Sequence, residues 1–229
     1  MLWNLALKDI EQNRKALAVT FATAFALPIL FHAALAQSGG GGSYPSFAIG
    51  YAVISVPILI VHLFIGHEKL KGTFRLLRLL PVSGSRLILT KSVVAIFLCL
   101  VVANLMMFVE PLVLRSVGIN YALPGALSLL WINLATAFIC ALAAVAFVVF
   151  EHKIALQVSY LMIFGLMLGF AALEKGLAQT GLRFSLAERA AQTYLLYWGG
   201  PVVLLLIAAF ILFAGRLFEA KEWPELEEN

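Results

Sequence analysis

Charged residues are scarce in this 229-residue sequence. Asp, Glu, Lys and Arg together make up 12% of it, against about 25% in an ordinary soluble domain. Hydrophobic residues reach 62%, against roughly 45–50%. A soluble domain of this length cannot bury so much apolar surface, which excludes a soluble enzyme and a disordered chain. The two cysteines, Cys99 and Cys140, lie in apolar runs, so we interpret them as small hydrophobic residues rather than a disulfide or metal pair.

Motifs for catalysis are also missing. The sequence has no H-E-x-x-H zinc motif, no G-x-S-x-G nucleophile elbow and no G-x-x-x-x-G-K-[ST] phosphate-binding loop. A chain without the phosphate-binding loop cannot hydrolyse ATP by that route. We therefore predict that the chain is not itself an enzyme and binds neither a metal nor a cofactor.

Six apolar segments are long enough to cross a bilayer as helices, which takes about 20 mostly apolar residues each. None of them shows the short alternating pattern of membrane β-strands. We predict an all-α integral membrane protein, one transmembrane domain over residues 1–229, with spans at Ala16–Ala36, Phe47–Gly66, Ser92–Leu114, Leu127–Phe150, Ile154–Leu173 and Pro201–Phe218.

The first span needs a check against a signal peptide, because Ala34-Leu35-Ala36 fits a cleavage pattern. The leader before the span carries Asp9 and Glu11, and the apolar run is longer than that of a usual signal peptide. We interpret this segment as a true span.

The basic residues predict the orientation, since cytoplasmic loops carry an excess of Lys and Arg. With the N-terminus in the cytoplasm, twelve of the 16 basic residues fall inside and four fall outside. Both termini are therefore expected inside. The four outside residues are Arg115, Lys175, Arg183 and Arg189.

Three segments outside the spans are predicted to be helical. Residues 1–15 form an amphipathic helix in the cytoplasmic interface, with Trp3, Leu7 and Ile10 on its apolar face. The cytoplasmic loop 67–91 carries a second helix that Pro81 ends. A capping box at Ser185–Glu188 begins an outer helix over 186–197, which Gly199-Gly200-Pro201 ends before the last span.

This order of parts resembles the membrane subunits of the ABC type-2 exporter family. The sequence of the loop between spans two and three supports the resemblance. It reads Glu68-x-x-x-Gly72-Thr73, then Leu80-Pro81-Val82-Ser83, then Lys91 just before the third span. The resemblance implies a permease in the cytoplasmic membrane, the inner membrane of a bacterium. It also implies a separate ATPase subunit in two copies, a homodimer of this chain, and ATP with Mg²⁺ on the partner.

The resemblance further implies that the helix in loop 67–91 is a coupling helix, which docks in a groove of the ATPase. The motif positions carried over are Glu68, Gly72, Thr73, Pro81 and Ser83. We assign Lys71, Arg75, Arg78 and Arg86 to the same docking role from their charge and their helical face.

Polar side chains inside spans are costly and mark pathways or helix contacts. Glu110, Asn104 and Asn133 are the candidates for a translocation pathway, although Glu110 lies near the outer end of its span and the interface is an alternative position. Gly165-x-x-x-Gly169 is a close-packing motif that fits either a dimer contact or packing within the chain.

The very apolar spans favour a hydrophobic or amphiphilic cargo moving outward. Two alternatives stay open. A secondary transporter would need coupling carboxylates near the membrane midplane, and Glu110 is off-centre. A non-transporting membrane scaffold would anchor a cytoplasmic partner through the basic loop.

Overall fold

A computed structural model describes residues 2–37, 51–67, 83–116, 118, 125–151, 153–159, 161, 165 and 187–220. Every regular element in these ranges is helical, and none of them contains a β-strand. The predicted all-α class is confirmed.

Six helices carry the described part of the chain, and a further helical segment covers 153–159. The six are α1 Leu2–Gln12, α2 Arg14–Gln37, α3 Tyr51–Gly66, α4 Gly84–Ser116, α5 Ala126–Val149 and α6 Ala187–Ala220. Helix α3 is α-helical at Val56–Val61 and π-helical on both sides of that stretch, at Tyr51–Ser55 and His62–Gly66.

Three helical stretches are long and apolar enough to cross a membrane by length and composition: Gly84–Ser116, Ala126–Val149 and Gly199–Ala220. They contain or closely match the predicted third, fourth and sixth spans. Helix α2 coincides with the predicted first span, and α3 covers most of the second. Most of the predicted fifth span lies outside the described residues.

Helix α6 differs from the prediction of an outer helix that ends at Gly199-Gly200-Pro201. The structure has one continuous helix of 34 residues with Pro201 inside it. Proline removes one backbone donor, but an apolar surrounding offers no water to an interrupted backbone, so continuing the helix satisfies more hydrogen bonds than breaking it. At 1.5 Å per residue the helix is about 51 Å long.

Helix α5 lies at the centre of the packing. Its buried face is rich in small residues, including Ala141, Ala143 and Ala144, and small residues let neighbouring helix backbones approach closely. The main core cluster joins α5 to α3 and α4, while Ala137 and Ala141 pack against Ile207 and Ile211 of α6.

The outer surfaces of α4 and α6 are strongly apolar. Helix α4 exposes large side chains three or four residues apart, and α6 exposes a second set, so each helix presents an apolar stripe away from the core. Exposed apolar area of this extent marks a membrane or an interface rather than a water-facing surface. The stripes are Val93, Phe97, Val101, Leu105, Phe108 and Leu112 on α4, and Val202, Leu204, Leu205, Leu212 and Phe213 on α6.

Candidate functional site

The predicted coupling loop, residues 67–91, is described at its two ends. Its middle lies outside the described residues, and with it seven of the assigned docking positions: Glu68, Lys71, Gly72, Thr73, Arg75, Arg78 and Pro81. The two other positions, Ser83 and Arg86, are described and both are exposed. The described contacts of this loop are therefore those between its two ends and the other helices.

The first end of the loop follows α3, where Gly66 is packed tightly. A Cβ atom built on Gly66 would stand 2.7 Å from His62 Nδ1 and 2.9 Å from Cδ1 of Phe147 on α5. The His62 and Phe147 rings are in contact, with 5.5 Å between centroids. A side chain at this position would force the His62 or Phe147 ring to move, so glycine permits the close approach of α3 and α5.

The second end of the loop leads into α4. Ser83 O accepts the Leu87 N–H at 3.1 Å, so Ser83 occupies the N-cap position of α4. The neighbouring Ser85 N–H donates to the Glu219 carboxylate of α6 at 2.9 Å. The last helix of the chain thus contacts the first turn after the loop.

A buried ion pair lies two turns further along α4. Lys91 Nζ stands 2.5 Å from Asp9 Oδ2 of α1, and the two side chains are 1% and 6% exposed. Asn13, also buried, donates its side-chain amide to Asp9 O at 3.0 Å. Burying two charges is acceptable only when each compensates the other, so this pair fixes α1 to the start of the third span.

Sequence reasoning missed the part played by Asp9. The predicted apolar face of α1 included Leu7, which is 46% exposed, whereas Asp9 and Asn13 are buried. A usable signal was present, since Asp9 and Asn13 are four residues apart and share one helical face. The partner was not identifiable, because many basic residues are predicted at the same membrane face.

Two pathway candidates, Asn104 of α4 and Asn133 of α5, form a reciprocal amide pair. Asn104 Nδ2 donates to Asn133 Oδ1 at 2.7 Å, and Asn133 Nδ2 donates to Asn104 Oδ1 at 3.3 Å. Asn104 Nδ2 also lies 2.7 Å from Leu100 O. The pair is half-buried, so it links two helices and keeps some exposed polar surface at mid-span.

The third pathway candidate, Glu110, lies among the helices. The residue is 3% exposed and lies one position before Pro111, in the last two turns of the continuous helix α4. The structure thus places this carboxylate inside the described bundle and apart from the surface. Nearer the start of α4, Cys99 and Cys140 are both free and buried, and their Sγ atoms lie 3.9 Å apart across α4 and α5.

Of the close-packing motif, Gly165 is described and Gly169 is not. Gly165 is exposed, and among the described residues a Cβ built on it meets no atom within 4 Å. Its role in a dimer contact or in packing within the chain stays a prediction.

Comparison with known proteins identifies a family. A family model described as "ABC-2 family transporter protein" matches residues 4–219, which is nearly the whole chain. No curated protein and no solved structure matches the chain. The matched region includes the two ends of the predicted coupling loop, the ion pair and the asparagine pair.

Proposed function

The chain belongs to the ABC-2 transporter family and is a permease-type membrane protein, and on that premise we propose that it exports a hydrophobic or amphiphilic cargo. Permeases of this family generally work with a separate ATPase subunit. In our proposal, ATP hydrolysis on two copies of that subunit drives two copies of this chain. The observation that carries the proposal is the family match over residues 4–219.

The proposed coupling element is loop 67–91. It carries the docking positions Lys71, Arg75 and Arg78 on one helical face of the sequence, with Arg86 following in α4. A basic face of this kind favours a groove with acidic rims. Both ends of the loop adjoin tightly packed helix contacts, which supports transmission of a push from the loop into the bundle.

The proposed cargo class follows from the surfaces available to it. The exposed faces of α4 and α6 are apolar, and the half-buried pair of Asn104 and Asn133 supplies uncharged polar groups at mid-span. Such a lining suits an amphiphile better than a small ion, because an ion needs several charged or carbonyl ligands. We place the cargo path beside the interface of the two copies.

Co-purification with a candidate ATPase encoded beside this gene tests the proposal. The wild-type chain is compared in mild detergent with Arg75→Glu/Arg78→Glu. We expect a complex of two plus two chains in the wild type and its loss or uncoupled ATP hydrolysis in the double variant. Lys175→Glu/Arg183→Glu is the matched control, because it reverses two charges on the predicted outer face and should leave the complex intact.

Two outcomes would contradict the proposal. If the wild-type chain purifies alone and changes no ATPase activity, the result would favour the scaffold and secondary-transporter alternatives. Labelling of Arg75→Cys by a membrane-impermeant thiol reagent from outside intact cells would overturn the orientation, and with it the docking of the loop on a cytoplasmic ATPase.

A further inference from the structure

The last turn of α6 meets the first turn of α4 at two glycines. A Cβ on Gly84 would lie 2.6 Å from Cδ1 of Phe218, and a Cβ on Gly215 would lie 3.0 Å from Cα of Ser85. Phe218 is fully buried. We name this contact the α4–α6 clasp, formed by Gly84, Ser85, Gly215, Phe218 and Glu219.

The clasp also provides the first turn of α4 with a hydrogen-bond acceptor from α6. The first N–H groups of a helix have no acceptor within the helix, and negative charge is favourable beside them. The Glu219 carboxylate accepts the Ser85 N–H, although the two residues are 134 positions apart. The end of α6 therefore completes the hydrogen bonding of the turn that follows the coupling loop.

We propose that the clasp makes α6 a positioning element for coupling, so that α6 moves together with the exit of the coupling loop. This inference rests on the proposed function and adds the route by which the loop reaches the last span. Ser83 is the last residue before α4 and lies next to the clasp. A push on the loop that displaces the first turn of α4 also displaces Gly215, because the two helices touch through backbone.

Because α6 is one continuous helix, a movement at the clasp reaches the far end of the helix. Helix α6 runs unbroken from Ala220 back to Ala187, a length of about 51 Å at 1.5 Å per residue, which exceeds the roughly 30 Å hydrocarbon thickness of a bilayer. In our proposal, a helix held at one end by the clasp carries a displacement along its whole length. The Gly199-Gly200-Pro201 sequence is the place where the outer helix was expected to end, and it is helical.

Distance measurements between spin labels in the complex with its ATPase test the inference. A single label is placed at Leu89→Cys on α4 or at Arg216→Cys on α6, both exposed positions outside the clasp, and the distance is measured between the two copies. The native cysteines Cys99 and Cys140 are replaced by alanine in all samples. We expect both distances to shift together between the nucleotide-free and the ATP–vanadate-trapped complex.

Breaking the clasp should separate the two movements. In Gly215→Leu and in Glu219→Ala, the shift at Leu89 should persist and the shift at Arg216 should be reduced or lost. Glu219→Gln keeps an acceptor oxygen and should retain the shift. The matched control is Leu212→Ala, which alters the exposed face of α6 and should move both labels as in the wild type.

The failures are distinguishable. A wild-type complex in which the Leu89 label moves and the Arg216 label does not would overturn the clasp alone, and so would an Arg216 shift that survives in both clasp variants. A chain that binds no ATPase, or whose two labels are unaffected by nucleotide, would overturn the proposed function and the inference with it. Co-purification with the ATPase shows in each variant that the chain is folded.

Discussion

The buried pair of Asp9 and Lys91 provides the sharpest test of the structure. Replacing Asp9 by asparagine removes the negative charge beside the Lys91 ammonium, whose side chain is 1% exposed. Removing one partner of a buried pair costs about 3–5 kcal/mol, whereas an exposed pair contributes only about 0–1 kcal/mol. We therefore expect Asp9→Asn to lower the free energy of unfolding by several kcal/mol, and Lys91→Met to lower it by a comparable amount.

The assay is reversible unfolding in mixed micelles, with a double-mutant cycle at the two positions. Asp9→Leu/Lys91→Met removes both charges and should recover most of the lost free energy, since an apolar pair of similar volume is often neutral or better. Glu11→Gln is the matched control, because Glu11 lies on the same helix and is exposed.

A single result would refute this reasoning. If Asp9→Asn changes the free energy of unfolding no more than Glu11→Gln does, the pair is solvated, and α1 does not pack on α4 as described. A large loss in Asp9→Asn with no recovery in the apolar double variant would instead show that the charges themselves, beyond their mutual compensation, hold α1 in place.

Three further predictions follow from contacts between the helices. Gly66→Ala should lower the free energy of unfolding by about 1–3 kcal/mol, because its Cβ overlaps side chains on α3 and α5; denaturant titration measures this. Copper phenanthroline should join Cys99 and Cys140, whose thiols lose two protons and two electrons to the oxidant, and thiol labelling after denaturation measures the product. Asn104→Leu and Asn133→Leu should show a coupling energy of about 0.6 kcal/mol, and at most about 1.7, in a double-mutant cycle.

Each of these has a control and a contrary outcome. Gly200→Ala is the control for Gly66→Ala, because its Cβ would meet only an ordinary contact at 3.9 Å and alanine is the better helix former; equal losses in both would contradict the tight packing. Cys140→Ser should abolish the oxidative cross-link, and failure of the wild type to form it would place α4 and α5 in another register. Strict additivity of the two asparagine substitutions would mean that no amide pair exists.

The sequence predicts the helices better than it predicts their ends. Apolar length identifies the third, fourth and sixth spans, because lipid tolerates only satisfied backbone. The helix end expected at Gly199-Gly200-Pro201 is absent. Glycine and proline end helices in water because water can hydrogen-bond the exposed backbone groups, and an apolar surrounding offers no such water. Helix α4 starts at Gly84, well before the predicted span at Ser92, and the Glu219 carboxylate of α6 accepts an N–H group of its first turn.

Side-chain pairing is less predictable for a physical reason. A spanning helix is apolar on its lipid face and on its core face, so periodicity does not distinguish the two. Asn104 and Asn133 stood out as polar residues at mid-span, and the structure brings them together. Asp9 did not stand out, because a charged residue on an interfacial helix is ordinary until its burial is known.

Because the lipid face and the core face of a spanning helix are both apolar, the polar pairs are important for the fold. Lipid tails are as apolar as leucine, so apolar contacts between two spanning helices bring them together but do not determine how far one helix is shifted along the other. Helix α4 is fixed against α1 at Lys91 and against α5 at Asn104, two points about 20 Å apart along its axis at 1.5 Å per residue. A slide of α4 by one turn, about 5.4 Å, would break both pairs at once and leave a charge in an apolar surrounding. The two pairs therefore set the register of the helix that leaves the coupling loop, while the alanine- and glycine-rich contacts around them supply the close packing.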